Sequence, residues 1–221
     1  VHTIFAALTQ AGDHVVCSSA VYGPTTTLLN TIMKKYGVET TFVNTSNLIE
    51  VKNAIKSNTK VVYVETPGNP TLCISDLEEI SKIAHAAGAS VVVDNTFMSP
   101  ALQNPIALGA DVVMHSLTKF LNGHADVVGG IIVVKDEPTY LHFRKTLNQI
   151  GGVIDPFNSF LVHRGLKTLA LRMERHCESA QIIAEWLENH PLIESIRYPG
   201  LKSHPHYNVG LKQHKGPGGM I

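Results

Sequence analysis

Ser116-Leu117-Thr118-Lys119 sets a lysine directly behind two hydroxyl residues, and an upstream apolar run, Val91-Val92-Val93, ends in Asp94. These residue types suit one chemistry. Small hydroxyls bind a phosphate without crowding it, and a lysine amine forms a Schiff base with an aldehyde. An acid at the end of a buried strand faces a pyridinium nitrogen. Together they describe a site for pyridoxal 5'-phosphate (PLP). A Schiff-base lysine has to lose its proton, which a partly desolvated site favours. Taken singly, each residue also has an ordinary reading: Lys119 as a surface lysine, Asp94 as the partner of an arginine or of a helix N-terminus.

Two loops offer further groups. Glu65-Thr66-Pro67-Gly68-Asn69-Pro70 follows the buried run Val61-Val62-Tyr63-Val64. Its prolines and glycine hold a rigid turn, from which Asn69 can donate to a phenolic oxygen of the cofactor. Tyr22, in Ala20-Val21-Tyr22-Gly23-Pro24, can stack on a planar ring. Asn122-Gly123-His124-Ala125-Asp126 reads as a turn, since one His and one Asp make only half a metal site. His204-Pro205-His206 reads as a surface loop. There is no Gly-x-Gly-x-x-Gly and no P-loop, which disfavours dinucleotides and nucleoside triphosphates.

These residues must be positioned by the elements around them. Strand candidates are His14–Cys17, Thr41–Val43, Val61–Val64, Val91–Val93, Val112–Met114 and Ile131–Val134. Helical patterns run near Thr25–Tyr36 and Ile49–Lys56. A third helix begins at a Ser75-x-x-Glu78 capping box and stops at Gly88. Apolar, non-alternating strands that alternate with helices indicate an α/β fold with a mainly parallel sheet covered on both faces. From about Phe157 a long helical stretch runs to Leu187, followed by a strand-like Ile193–Tyr198. The expected division is a large cofactor-binding domain at 1–165. A connecting helix and the start of a smaller C-terminal α/β domain occupy 166–221.

The 221 residues carry 18 Lys plus Arg against 18 Asp plus Glu, so no basic surplus points to nucleic acid. No run is long enough to span a membrane. Three separated cysteines, Cys17, Cys73 and Cys177, form neither a metal pattern nor a disulfide framework. That favours a reducing, cytoplasmic setting. The chain starts Val1-His2-Thr3 in mid-helix and ends Gly218-Gly219-Met220-Ile221, which reads as an internal piece of a longer protein.

Val92–Phe97, Glu65–Pro70, His115–His124 and Arg164–Leu169 together resemble the Cys/Met-metabolism family of PLP enzymes, and the resemblance covers essentially the whole chain. It implies the PLP-dependent aminotransferase-like fold (fold type I). It implies that Lys119 carries the cofactor, Asp94 pairs with its ring nitrogen and Tyr22 stacks on the ring. Ser116 and Thr118 hold the phosphate, and Asn69 supports the ring oxygen. It further implies homotetramers, built as dimers of dimers with shared active sites. A partner Tyr and Arg and a Ser-Gly-Met phosphate loop lie upstream of Val1, and the carboxylate-binding arginine lies downstream of Ile221.

The chemistry implied has Lys119 moving protons and Tyr22 protonating a leaving group on Cγ. The expected activity is a C–S γ-lyase acting on cystathionine or methionine, giving 2-oxobutanoate, ammonia and a thiol. Pro24 stands where methionine γ-lyases usually carry a Cys, which tells against strict methionine specificity. The alternative within the family is γ-replacement, as in cystathionine γ-synthase or an O-acylhomoserine sulfhydrylase. The alternative outside it is a PLP-fold binding protein without catalysis.

Overall fold

The computed structural model describes residues 1–221. Six strands form one sheet in the order β2-β1-β3-β4-β5-β6. They are β1 (His14–Ser18), β2 (Glu39–Val43), β3 (Thr59–Glu65), β4 (Ser90–Asp94), β5 (Val112–Ser116) and β6 (Gly130–Val134). β1 to β5 are mutually parallel, and β6 runs antiparallel to β5. The chain builds outward from β1 to β2 on one side and to β3 on the other. The C-terminal ends of β1 and β3 therefore flank the point where the winding reverses, the usual place for a ligand crevice in such sheets.

The helices are α1 (His2–Leu8), α2 (Gly23–Leu28), α3 (Leu48–Ala54), α4 (Leu77–Ala86), α5 (Ser99–Leu102), α6 (Glu137–Ile150), α7 (Pro156–Leu166), α8 (Leu169–Glu188) and α9 (Tyr207–Gln213). Alternation along each strand sends side chains to two faces. Val15, Cys17, Val61, Tyr63, Val92, Val112 and Met114 pack with Ile4 and Phe5 of α1 and Phe143 of α6. Val16, Val62, Val64, Val91, Val93 and Val113 pack on the other face with Val51 of α3 and Leu77, Ile80 and Ala84 of α4. With both faces covered over the middle of the sheet, neither can be polar there, which is why β3, β4 and β5 read as apolar runs, while the edge strands β2 and β6 are more exposed.

Several local expectations shift. α2 begins at Gly23 and passes into a π-helical turn, Leu29–Met33. The cap of α4 is Asp76, whose carboxylate accepts from the Glu79 N–H at 3.2 Å. Ser75 is instead buried and hydrogen-bonds Thr45 at 2.8 Å, so the capping box is offset by one residue. α6 was not anticipated; Asp136 caps it by accepting from the Thr139 N–H. Ile193–Tyr198 forms no strand. It lies across α8 instead, with Tyr198 and Leu201 packed on Ala180 and Ala184 and Ile196 against them.

α7 and α8 brace the turn that carries Lys119. Arg172 of α8 donates to the carbonyls of Phe120 (2.7 Å) and Gly165 (2.9 Å). Gly165 of α7 sits so close to this turn that a Cβ there would fall 2.2 Å from the Asn122 carbonyl oxygen. Backbone cannot yield as a flexible side chain does. Gly165→Ala is therefore expected to destabilise the full-length protein by about 1–3 kcal/mol, read as a lowered urea midpoint at unchanged slope.

Candidate active site

Alternation and register bring the chemistry to one place. Glu65, the last residue of β3, lies opposite Asp94, the last residue of β4. Asp94 in turn pairs with Met114 of β5, two residues before Ser116. Glu65, Asp94 and Ser116 thus emerge on the same face, at the C-terminal edge of the sheet. Asn69 and Tyr22 follow β3 and β1 on that same edge, and Lys119 follows β5.

Asp94 is 6% exposed. Thr96 donates to its Oδ1 through both Oγ1 (2.5 Å) and the backbone N–H (3.1 Å), and Tyr63 donates to Oδ2 at a longer 3.4 Å. Burial raises the Asp94 pKa, while these donors pull it down. No arginine pairs with it; the start of α1, whose N-cap is Val1, lies beside it. Asp94 forms no ion pair. A buried carboxylate held ready by hydroxyl and amide donors, with no side-chain cation, fits a pyridinium nitrogen.

The other anticipated residues surround this acid. Ser116 donates its backbone N–H to Thr96 Oγ1 (2.8 Å), so a single threonine links the acid to the hydroxyl strand. The hydroxyl of Thr118 is anchored by the Gly129 N–H at 3.1 Å. The π-helical turn Leu117–Leu121 is broken at Lys119, whose backbone (φ −100°, ψ −131°) leaves the helical region. Lys119 is exposed and forms no ion pair. Tyr22, 53% exposed, caps α2, and its backbone N–H donates to Glu65 Oε2 at 2.7 Å. The side chains of Lys119, Ser116 and Asn69 make no hydrogen bond within the chain, whereas Asp94, Thr96 and Thr118 beside them are engaged.

Three supporting residues were given no role from the sequence: Thr96, Arg172 and Glu65. Thr96 and Glu65 do lie within the stretches Val92–Phe97 and Glu65–Pro70, and Glu65 leaves a further trace as an acid ending an otherwise buried apolar strand, just as Asp94 does. A buried amide cluster lies behind them. Asn95 donates to the carbonyls of Ser99 and Gln103; Gln103 donates to Asn95 Oδ1 (2.7 Å) and to the Thr66 carbonyl (3.2 Å). Gln213 of α9 donates to Gln103 Oε1 (3.0 Å) and accepts from the Leu77 N–H (3.3 Å). The histidine loop also proves different from expectation. His204 is only 5% exposed, and its Nε2 meets the Leu72 carbonyl at 3.1 Å. It clamps the Asn69 loop rather than standing in solvent. His124 and Asp126 belong to no metal-binding cluster.

Residues 1–221, the entire chain, match the family described as Cys/Met metabolism PLP-dependent enzyme. The chain belongs to this family. L-methionine gamma-lyase of Fusobacterium nucleatum subsp. nucleatum is 50% identical over 214 residues, covering 96% of this chain and 54% of that protein. Cystathionine gamma-lyase of Bacillus subtilis is 48% identical over 216 residues, covering 97% and 56%. Cystathionine beta-lyase of Coxiella burnetii is 47% identical over 216 residues, again covering 97% and 56%. The crystal structure of metB from Corynebacterium glutamicum superposes with a TM-score of 0.97 at 46% identity, over 99% of this chain and 57% of that one. The chain thus spans about half the length of the curated relatives it matches. PLP is the cofactor of the family. No helix is long and apolar enough to cross a membrane.

Thr96→Val tests the acid's support. It removes the hydroxyl bond to Asp94 and leaves the Ser116 N–H without its acceptor. Asp94 then loses a donor that favours its ionised form, so its pKa rises further. PLP affinity of the full-length protein is expected to fall roughly tenfold, the value of a hydrogen bond to a charged group. The defect is expected to grow as pH falls and to shrink as it rises, by equilibrium dialysis of PLP.

Proposed function

We propose that the full-length protein is a PLP-dependent C–S γ-lyase of sulfur amino acids, converting cystathionine or methionine to 2-oxobutanoate, ammonia and a thiol. The observation that carries this reading is the set of groups left unengaged around a buried acid. Lys119, Ser116 and Asn69 reach no partner in the chain, and Asp94 meets no cationic side chain, all on one sheet edge. The names of the similar proteins support the reaction class.

In this reading Lys119 holds the cofactor covalently, Asp94 faces the ring nitrogen, and Ser116 and Thr118 bind the phosphate. Asn69 supports the ring oxygen, and Tyr22 covers the ring. When bound, PLP supplies the electron sink that makes a carbanion at the amino-acid Cα accessible. Once the substrate amine has taken its place on the cofactor, the freed Lys119 Nζ takes the Cα proton and later moves one at Cβ. In this reading Tyr22, half exposed, gives a proton from Oη to the departing sulfur. The Arg172 contacts to Phe120 and Gly165 fix the backbone from which Lys119 works.

Elimination from Cβ is the second reading, because cystathionine beta-lyases match at nearly the same identity. γ-Replacement with an O-acylhomoserine is the third. The proposal also includes a homotetramer with shared active sites and a cytoplasmic location.

The test is product analysis on the full-length protein with PLP, offered L-cystathionine or L-methionine without an acceptor thiol. Rapid 2-oxobutanoate release is expected. Pyruvate would shift the reading to a β-lyase, and turnover only of an O-acylhomoserine plus a thiol would shift it to γ-replacement. No turnover of any of these would leave a binding protein. Lys119→Ala is expected to lower release by about a thousandfold, and borohydride reduction of the wild type is expected to fix the cofactor on the Lys119 peptide.

A further inference from the structure

Glu65 is a second buried acid for which the proposed chemistry has no use. It is 4% exposed and stands in register with Asp94 on the neighbouring parallel strand. It forms no ion pair. Two carboxylates side by side in a dry interior repel strongly when both are ionised, so one of them keeps a proton.

The donors decide which. Asp94 has two side-chain hydroxyls, Thr96 and Tyr63, and one backbone N–H aimed at it. Glu65 has one donor at hydrogen-bond distance, the backbone N–H of Tyr22 at 2.7 Å, with the Asn69 backbone near enough to favour its charged form. The other titratable groups acting on the pair are Cys17 on β1 and Tyr63 on β3. None of these supplies a side-chain cation. Burial and the Asp94 charge push the Glu65 pKa up to about 8, against the pull of the Tyr22 and Asn69 backbone.

Glu65 also joins two loops that are distant in sequence. The Tyr22 loop follows β1 and the Asn69 loop follows β3, the two strands between which the winding reverses. Glu65 ends β3 at the root of the Asn69 loop, and its carboxyl holds the Tyr22 loop by the Tyr22 N–H.

We propose that Glu65 is a positioning residue that stays protonated near neutral pH, ties the Tyr22 and Asn69 loops together across the crevice, and leaves Asp94 as the single negative charge facing the cofactor ring. The inference rests on the PLP reading given above for Asp94, Tyr22 and Asn69. A neutral Glu65 matches one acid to one ring cation, whereas an ionised Glu65 would double the buried charge.

Glu65→Gln is the neutral isostere, and Glu65→Ala removes the bridge. Both are made in the full-length protein, with and without PLP. Difference infrared spectroscopy of the apoprotein at about pH 7 is expected to show a protonated carboxyl band in the wild type that E65Q abolishes. E65Q is expected to keep PLP affinity and kcat within about threefold, and E65A to lower both by about tenfold or more. The pH profile carries a sign as well. An acid whose folded pKa is raised contributes stability that is complete below its unfolded pKa and is lost as pH rises through the folded value. The apo wild type is thus expected to lose unfolding midpoint relative to E65Q between about pH 5 and about pH 9.

Absence of the carboxyl band would overturn the proposal. So would an E65Q as impaired as E65A, or a midpoint difference between wild type and E65Q that does not change with pH. Failure of the wild type to bind PLP would overturn the site reading and this proposal with it. Normal PLP binding by the wild type with any of the three preceding results would overturn this proposal alone.

Discussion

A carboxylate that meets no cationic side chain, at the dry end of a central strand, is the constraint around which this molecule is organised. Such a group is costly to bury, and each neighbour of Asp94 offsets part of that cost. Thr96 gives two donors, Tyr63 gives a third, and Ser116 orients the Thr96 hydroxyl by donating to it from β5. The sheet order puts β3, β4 and β5 side by side, so these residues converge without any long side chain reaching across. What the protein does not supply, a positive charge, is what a protonated pyridine ring brings.

The same region is rigid where it has to be and open where chemistry happens. Behind the acid the polar groups are saturated: Asn95, Gln103, Thr66 and Gln213 satisfy one another in the interior. In front, Lys119 and Tyr22 are exposed. Both stand on backbone that is held from behind, Tyr22 through Glu65 and the Lys119 turn through Arg172. Mobile side chains on fixed backbone suit proton transfer, because reach is retained while the starting geometry is not lost.

Much of this was legible in the sequence. The central strands announced themselves as apolar runs because both faces of the sheet are covered there. Asp94, Ser116 and Lys119 were legible because hydroxyls and an acid at strand ends are unusual company for valines. The supporting residues were not, since Thr96 and Arg172 are ordinary residue types whose importance lies in partners that are close only after folding. Arg172 meets Phe120 across 52 positions of chain. The Ile193–Tyr198 segment misled because an apolar, β-branched stretch has the same composition whether it joins a sheet or packs on a helix. His204 misled because Pro and polar neighbours suggest a surface, whereas the ring fills a niche beside Leu72. The offset cap at Asp76 arose because Ser75 had a better use in the interior, bonded to Thr45.

Gln213 has a consequence for biosynthesis. It is the last residue to join the amide cluster, and it meets Gln103 across 110 positions of chain. A ribosome adding roughly 5–20 residues per second delivers it on the order of ten seconds after Gln103. During that interval the Leu77 N–H and the Gln103 side chain lack the partner they have in the finished protein. The nascent α/β core can collapse early, yet the wall behind Asp94 is completed only when α9 arrives. Completion of that wall is accordingly timed by synthesis of α9 rather than by formation of the sheet.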